Sequence, residues 1–475
     1  MGSICVPRTA GDPDLAVIGG GAAGLAAARA GARRGLRTIL VSDSPLGGDC
    51  TFTGCVPSKT LIEAAARRLP FEVAAARIRE VVAGIAASED ATVLRSEGVE
   101  VTEGSARFAG RGQICVDGHR LEASRIVIAT GSEPAVPQVP GLERVAYLTN
   151  ETVFDLDRLP GSIGVLGGGP IGCELSQAFA RLGAEVHVFE AASRLLPREE
   201  TEASRVIGEV LAAEGIDLHV GVEVTEVGRA GRSGGVRVEC SDGSRVEVDA
   251  LLVATGRRAR TASLDPDAGG IALDGRGFVR TDRFLETSVP GVYAAGDVTG
   301  GPGSTHSADE MGRLAVGNAF GRAGRLGRRA FDTAAVPWVT FCDPEVARVG
   351  MSEQQAAAAG GRVAFVPFSE LDRAIIAGRT EGFVKLVVGP RAGLGNAGGG
   401  RVLGATIVAP RAGEMIHEVA LAIRTGMFAG RLAQTVHAYP TWSSAIRQAA
   451  AQLFMELDGR AARPAEPGRP SRRSP

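Results

Sequence analysis

The chain has 475 residues, of which 44% are hydrophobic and 22% charged, with a formal net charge of −2; this predicts about three folded domains of ordinary size. The near-neutral charge gives no electrostatic reason to expect nucleic acid as a partner, and no run approaches the roughly 18 apolar residues that a membrane span needs. Residues 1–13 lack the basic-then-apolar pattern of a signal peptide, which favours a cytoplasmic protein.

The first predicted unit is a strand, a glycine-rich turn, a helix and a second strand. Apolar residues 15–18 precede the glycine-rich residues 19–24, an alanine-rich stretch follows, and the second strand ends near Ser42. This order is typical of a βαβ dinucleotide-binding unit, whose turn lets the backbone approach a pyrophosphate at a helix N-terminus. The ribose is usually bonded at the end of the second strand, where Ser42 and Asp43 are both candidates.

A pair of cysteines follows this unit directly. Residues 47–59 read GGDCTFTGCVPSK, which places Cys50 and Cys55 in a C-x4-C arrangement at the entry to a predicted helix. A helix N-terminus lowers the pKa of a thiol, so a disulfide here is predicted to be redox-active rather than structural. Lys59 is informative because only two of the 52 basic residues are lysines, and an ammonium is not equivalent to a guanidinium.

A second βαβ unit begins about 148 residues later. Residues 163–166 form its first strand, residues 167–172 its glycine-rich turn, and Glu190 ends its second strand. A carboxylate at that position bonds a ribose 2′-hydroxyl and repels a 2′-phosphate, which favours NADH over NADPH. Arg194 lies four residues further on and would partly offset this preference. Each unit is followed by an apolar strand that ends in Thr-Gly.

The last part of the chain, from about residue 336, has a different pattern. Strands are predicted at 383–388 and 402–409, and helices at 412–425 and 443–457. From residue 459 the composition changes to Arg, Pro, Gly and Ser, which predicts a disordered tail because such a segment cannot bury a core.

With these motifs, the chain resembles the pyridine nucleotide–disulfide oxidoreductases, the family of lipoamide dehydrogenase, glutathione reductase and mercuric reductase. The resemblance covers about residues 12–458 and includes residues 291–297, which look like the family's second FAD motif. It implies an α/β fold in which two Rossmann-like dinucleotide-binding domains, for FAD and NAD, are followed by an α+β dimerisation domain. The implied boundaries are 12–150 and 276–335 for the FAD-binding domain, 151–275 for the NAD(P)-binding domain, 336–458 for the dimerisation domain and 459–475 for the tail.

The resemblance also implies roles for individual residues. Cys55 would be the thiol that faces the flavin, Cys50 the outer thiol that attacks substrate, and Lys59 would lie by the flavin and pair with Glu174. Asp297 would bond the ribityl and phosphate region of FAD. The positions predicted to contact cofactor are Gly19, Gly21, Gly24, Ser42, Asp43, Gly48, Lys59, Thr130, Gly131, Gly167, Gly169, Gly172, Glu190, Gly256, Gly296 and Asp297. No metal site is expected, and the active site would be completed by the second subunit of a homodimer.

The chain departs from the best-known members in its C-terminal sequence. Their His-Pro-Thr-x-x-Glu supplies a general base and the carboxylate that orients it, whereas Tyr439 and Ser444 occupy these two positions here. A phenol with a pKa near 10 is a poor base at neutral pH but can donate a proton. His437 is an alternative base, although a packing or hydrogen-bonding role is favoured for it. The last cysteine is Cys342, so the C-terminal cysteine pair of mercuric reductases is missing.

The sequence therefore predicts an FAD-dependent enzyme that passes electrons from NAD(P)H through FAD to a Cys50–Cys55 disulfide. From there the electrons would go to a disulfide or another small-molecule acceptor, as in a mercuric reductase-like protein. The alternatives are a dihydrolipoamide dehydrogenase that uses His437 or Tyr439 as base, and a redox-sensing flavoprotein with little turnover. Quinone reduction and Hg(II) reduction also remain open.

Overall fold

The computed structural model describes residues 6–7, 12–231, 234–321, 324–391 and 393–467. The strands in these ranges are β1 Val6–Pro7, β2 Leu15–Ile18, β3 Thr38–Ser42, β4 Val99–Glu103, β5 Ala106–Gly110, β6 Gln113–Val116, β7 His119–Leu121, β8 Arg125–Ile128, β9 Ser132–Pro134, β10 Ser162–Leu166, β11 Glu185–Glu190, β12 Asp217–Val220, β13 Val224–Ala230, β14 Gly235–Cys240, β15 Arg245–Val248, β16 Ala250–Val253, β17 Arg257–Ala259, β18 Val292–Ala294, β19 Trp338–Thr340, β20 Glu345–Gly350, β21 Arg362–Pro367, β22 Phe383–Gly389, β23 Arg401–Ala409 and β24 Arg463–Pro464.

The α-helices alternate with strands in both dinucleotide-binding units. They are α1 Ala22–Ala32, α2 Gly48–Phe52, α3 Cys55–Ala66, α4 Phe71–Ala86, α5 Ala91–Ser96, α6 Pro170–Leu182, α7 Thr201–Ala213, α8 Pro266–Gly269, α9 Thr305–Ala319, α10 Glu353–Ala357, α11 Asp372–Ala377, α12 Ala412–Arg424, α13 Ala429–Gln434 and α14 Ser444–Ala451. Among the described residues, none of these helices has the length and apolar character needed to cross a membrane.

The chain divides into two compact units. The first contains the residues up to 138, residues 146–160 and residues 250–331. Its main sheet is parallel, with strand order β18-β8-β2-β3-β4. Alternate residues of β2 are buried on opposite faces: Leu15 and Val17 pack in one core with α1 and α9, and Ala16 and Ile18 in another. Burial of both faces explains why this strand is apolar throughout.

The second unit contains residues 139–145, 161–249 and 332 onward. Strands β12, β11 and β10 lie side by side in parallel, with α6 as the connection between β10 and β11. A six-stranded sheet of order β19-β20-β23-β22-β21-β24 forms the C-terminal part, and its apolar core includes residues of α12, α13 and α14. The predicted α/β class with two Rossmann-like units and a distinct C-terminal domain is thus confirmed.

The C-terminal segment differs from the prediction in two places. Helix α14 ends at Ala451, six residues earlier than predicted. The side chain of the next residue, Gln452, accepts from the Phe365 N–H and donates to the Phe365 carbonyl, both at 3.0 Å. Beyond residue 459, β24 pairs with β21 and the Arg463 guanidinium donates to Glu353 at 3.1 Å. Backbone pairing, this ion pair and the packing of Ala462 and Ala465 against apolar clusters hold residues 462–465 in place. Residues 468–475 lie outside the described structure, and the disordered tail remains a prediction.

The two units also divide the chain differently from the four expected domain segments. Residues 250–275, expected in the NAD(P)-binding domain, group with the first unit, and residues 161–249 share a unit with the C-terminal sheet. The boundaries drawn from the sequence remain a prediction about functional domains.

Candidate functional site

The two cysteines of the C-x4-C sequence lie on consecutive short elements of the first unit. Cys50 is part of α2 and Cys55 is the first residue of α3, whose N-terminus stabilises a thiolate charge. A hydrogen bond to Cys55, followed by burial, raises the pKa of the Cys50 thiol. Thr305, the first residue of α9, lies with its Oγ1 3.4 Å from Cys55 Sγ. Of the two thiols, Cys55 is the more exposed.

An arginine from a distant part of the sequence holds the segment around Cys50. Arg257 pairs with Asp49 and donates from Nε to Ser132 Oγ at 2.7 Å and from Nη2 to Ser132 O at 2.8 Å. Ser132 Oγ in turn donates to Asp297 Oδ2 at 2.8 Å. Because Asp49 immediately precedes Cys50, this network links the cysteine segment to the acidic residue predicted to bind FAD.

The first glycine-rich turn presents backbone groups at the N-terminus of α1, where a pyrophosphate would lie. Gly21 is the N-cap of α1 and makes no side-chain hydrogen bond to the free N–H groups. A Cβ on Gly24 would lie 1.9 Å from the carbonyl oxygen of Gly19, and one on Gly48 would lie 2.8 Å from Gly21 Cα. Only glycine permits these approaches, and the resulting cradle at a helix N-terminus fits the pyrophosphate of FAD.

The other residues predicted to bind FAD follow parallel strands of the same sheet. Thr130 and Gly131 follow β8, and Gly296 and Asp297 follow β18, so they lie at the carboxyl edge where such sheets bind nucleotides. At the end of β3, the Ser42 hydroxyl donates to the Ser44 carbonyl at 2.8 Å. The neighbouring Asp43 carboxylate is exposed and accepts a hydrogen bond from the Ser44 hydroxyl at 3.2 Å.

The second glycine-rich turn repeats this construction in the second unit. Gly169 is the N-cap of α6 and provides no side-chain cap, and a Cβ on Gly172 would lie 1.9 Å from the carbonyl oxygen of Gly167. Glu190 lies at the end of β11, where its carboxylate accepts hydrogen bonds from the N–H groups of Gly168 and Ala192, both at 2.7 Å. The expected acidic residue is therefore positioned directly on the turn.

Arg194 does not point its charge at Glu190. Its guanidinium donates to the Thr201 hydroxyl at 2.5 Å and to the carbonyls of Pro197 and Glu199, each at 3.0 Å. Three bonds to its own loop thus occupy the cation that would otherwise favour a 2′-phosphate.

The remaining predicted residues of the redox centre lie in different units. Lys59 is on α3 in the first unit, one turn after Cys55, and is partly exposed. Glu174 is buried on α6 in the second unit, where its Oε1 accepts from the Phe341 N–H at 2.8 Å. Gly256 follows β16 in the first unit. The pairing of Lys59 with Glu174 remains a prediction.

The two candidates for the proton-transferring residue have different surroundings. The Tyr439 side chain is 74% exposed, and its hydroxyl donates to Asp372 Oδ2 at 2.8 Å, which raises the pKa of the phenol. The His437 side chain is 8% exposed, with Nε2 3.1 Å from Glu418 and Nδ1 3.0 Å from the Thr435 carbonyl. Both nitrogens of His437 are therefore engaged within the chain, whereas Tyr439 is presented on the surface.

Sequence reasoning missed Arg257, Ser132 and Thr305. Arg257 is separated from Asp49 by 208 residues and from Ser132 by 125, and Thr305 from Cys55 by 250, so no local spacing indicates these contacts. One signal was available: Asp49 lies inside the cysteine motif, and a carboxylate beside a reactive thiol needs a cation to balance its charge.

Comparison with known proteins is consistent with this geometry. Residues 13–312 match the family model described as pyridine nucleotide-disulphide oxidoreductase, and residues 336–450 match the dimerisation domain of the same family. The chain belongs to the pyridine nucleotide-disulphide oxidoreductase family. It is accordingly an FAD-dependent enzyme that exchanges electrons between a pyridine nucleotide and a redox-active disulfide.

Individual relatives include enzymes with different acceptors. A mercuric reductase of Staphylococcus aureus is 34% identical over 460 residues, which cover 93% of this chain and 82% of the relative. A dihydrolipoyl dehydrogenase of Thermus scotoductus is 34% identical over 477 residues, covering 93% and 98%. Among solved structures, the HOCl-induced flavoprotein disulfide reductase RclA from Escherichia coli has a TM-score of 0.83 at 31% identity and covers 92% of this chain and 99% of its own.

Proposed function

We propose that this enzyme uses NADH to reduce a disulfide or another small oxidant at a homodimer interface in the cytoplasm. The observation that carries the proposal is the placement of Cys50 on α2 and of Cys55 at the N-terminus of α3, in the unit that holds the FAD cradle. The likeness to a mercuric reductase and to a flavoprotein disulfide reductase supports such an acceptor. The family's dimerisation domain supports the homodimer.

NADH is proposed as the electron donor because of the surroundings of Glu190. Its carboxylate is fixed on the second glycine-rich turn, and Arg194 is bonded to residues 197–201 instead. A negative charge at this position disfavours a 2′-phosphate. On the FAD side, the Ser42 hydroxyl is engaged in its own turn, so Asp43 is proposed to accept from the ribose.

The residues around the cysteines have distinct proposed roles in electron transfer. FAD, when bound, supplies the hydride chemistry that links the nicotinamide to the disulfide. Reduction breaks the Cys50–Cys55 bond: Cys55 keeps the thiolate charge at the helix N-terminus, and Cys50 takes a proton and becomes the outer thiol. Arg257 positions this segment through Asp49. Thr305 Oγ1 lies 3.4 Å from Cys55 Sγ, and its hydroxyl is proposed to donate to the Cys55 thiolate.

Tyr439 is proposed to deliver the proton to the leaving thiol of a disulfide acceptor. A phenol is protonated at neutral pH, and the hydrogen bond to Asp372 raises its pKa further, so Tyr439 can donate a proton but is a poor base. His437 is proposed to have a structural role because Glu418 and Thr435 occupy its ring nitrogens. This assignment speaks against a lipoamide dehydrogenase in which His437 removes the proton.

The acceptor is tested by steady-state NADH oxidation with glutathione disulfide, lipoamide, a quinone and Hg(II) in parallel. We expect turnover with a disulfide or small oxidant that is lost in Cys50→Ser. Quinone reduction that survives Cys50→Ser would show that electrons leave the flavin directly. Efficient turnover with lipoamide alone would identify a dihydrolipoamide dehydrogenase, and failure of every acceptor would favour a redox sensor.

A further inference from the structure

Two histidines and an aspartate form a cluster on the parallel strands of the second unit. His187 is on β11, and Asp217 and His219 are on β12, in a register that places His187 opposite Asp217 and Phe189 opposite His219. Because side chains two residues apart in a strand share a face, His187, Asp217 and His219 project from the same face of the sheet. None of them is part of the cofactor and cysteine machinery described above.

The spacing of the nitrogen and oxygen atoms matches a metal coordination sphere. Asp217 Oδ2 lies 3.2 Å from His187 Nδ1 and 3.1 Å from His219 Nε2, and the three ligand atoms all lie within 4.8 Å of one another. Ligands at 2.0–2.2 Å from a tetrahedral Zn²⁺ are separated by about 3.3–3.5 Å. Small side-chain adjustments would therefore place all three atoms around one ion.

Among the described residues, one ring nitrogen of His219 has no hydrogen-bond partner. Its Nε2 is inaccessible to solvent and makes no hydrogen bond with any described residue, although a carboxylate oxygen lies 3.1 Å away. A buried imidazole nitrogen without a partner is costly. Its ring is held by stacking on Phe189, with a centroid separation of 4.7 Å and an interplanar angle of 13°, so the nitrogen is kept beside Asp217.

His187 has the supporting contact that metal-bound histidines usually have. Its other nitrogen, Nε2, lies 3.3 Å from the Glu185 carboxylate. A proton on Nε2 leaves the lone pair of Nδ1 directed at the cluster, the arrangement in which a carboxylate orients a metal-ligating imidazole. The histidine side chains are 12% and 15% exposed while Asp217 is 59% exposed, so an ion can enter from the Asp217 side.

We propose that His187, Asp217 and His219 bind a divalent transition-metal ion of the Zn²⁺ class, with water in the remaining position. Two neutral imidazoles and one carboxylate are typical ligands of such ions. The Asp217 and Glu185 carboxylates supply two negative charges that balance the dication. Because β12 lies at one side of the β10–β11–β12 arrangement, the ion would join this strand to β11 and stabilise the fold.

The test is Zn²⁺ titration by calorimetry of the FAD-loaded full chain in which Cys50 and Cys55 are both replaced by Ser, because these two thiols are the most accessible of the free cysteines in the described residues. We expect about one Zn²⁺ per chain, with binding weakened at least 100-fold by the His187→Ala/His219→Ala double substitution. The outer-shell substitution Glu185→Gln should weaken it roughly 10–100-fold. The matched control is His119→Ala, an exposed histidine on β7, which should leave the affinity unchanged.

Two further measurements keep the proposal falsifiable if the double variant folds poorly. Asp217→Asn, which preserves size, should also weaken Zn²⁺ binding, and Zn²⁺ should raise the melting temperature of the parent chain but not of this variant. Bound Co²⁺ should show the visible spectrum of a four-coordinate nitrogen and oxygen site. Undiminished Zn²⁺ binding by Asp217→Asn and by the double variant, or no binding by the parent chain, would overturn the proposal.

Discussion

The buried lysine Lys385 provides a quantitative test of the electrostatics of the second unit. Its ammonium is 1% exposed and lies 2.6 Å from Glu202, 2.9 Å from Glu353 and 3.3 Å from Glu200. Burial alone lowers the pKa of Lys385, but the three carboxylates outweigh it and raise the pKa above 10.5. Lys385→Met keeps the length of the side chain and removes its charge, so the carboxylates lose their shared cation.

The expected loss can be estimated in two ways. Removing one partner of a buried ion pair costs about 3–5 kcal/mol. Alternatively, the protein protonates one carboxyl group, and with an ordinary glutamate pKa of 4.5 this costs about 3.4 kcal/mol at pH 7. The two estimates agree on a loss of about 3–4 kcal/mol in the free energy of unfolding. At pH 5, protonation costs only about 0.7 kcal/mol, so most of the loss should disappear.

Equilibrium urea unfolding of the FAD-loaded protein at both pH values measures this difference. The control is Arg205→Met, which removes a 61% exposed cation paired with Glu209 on the same helix and should cost no more than about 0.5 kcal/mol. A loss below about 1 kcal/mol for Lys385→Met at pH 7, or a loss that does not change between pH 7 and pH 5, would refute the reasoning.

Three further predictions concern the redox centre and cofactor choice. The purified protein should carry about one FAD per chain, and a colourless protein would contradict the cofactor assignment. Anaerobic addition of one equivalent of NADH should produce a long-wavelength absorption band. Cys55→Ser should abolish this band without loss of FAD. The kcat/KM for NADH should exceed that for NADPH by roughly 5–150-fold, equivalent to about 1–3 kcal/mol. Glu190→Ala should reduce this difference between the two cofactors. A wild-type preference for NADPH would show the donor assignment to be wrong. In rapid-reaction kinetics, Tyr439→Phe should slow reduction of a disulfide acceptor but not flavin reduction by NADH; if only His437→Ala has this effect, His437 is the proton-transferring residue.

The wild-type chain should also lose stability in acid through Glu353. Burial raises the pKa of this carboxyl, but hydrogen bonds from Arg463 and Lys385 lower it to about 2 from 4.5. Because the folded-state pKa is depressed, the contribution is complete above pH 4.5 and is lost as the pH falls towards 2. Arg463→Met should shift the acid-unfolding midpoint upward; an unchanged midpoint would show that the ordered residues 463–464 contribute little.

Local patterns in the sequence predicted the repeated parts of the fold. Both glycine-rich turns, the strands before and after them and the C-x4-C helix entry depend on neighbouring residues, so periodicity and spacing are sufficient to find them. Glu190 could be assigned for the same reason, since the end of the second strand has a fixed distance from the turn in a βαβ unit.

Long-range contacts could not be predicted in this way. The pairs Arg257–Asp49 and Tyr439–Asp372 join residues that are 208 and 67 positions apart, and a charged side chain gives no indication of its distant partner. The order of residues 463–464 was missed for a similar reason, because a strand of two residues in a Pro- and Arg-rich segment depends on the backbone groups of β21.

The position of Glu190 has a consequence for redesigning the enzyme to accept NADPH. The obvious change is to remove this carboxylate or replace it with arginine. Its two oxygens, however, accept from the N–H groups of Gly168 and Ala192, and an arginine side chain has donors only. After such a substitution, the N–H groups of Gly168 and Ala192 would lose their carboxylate acceptor and would depend on water instead. Glutamine retains one acceptor oxygen without the charge, so it offers a route to relaxed selectivity in which the loop keeps part of its internal support.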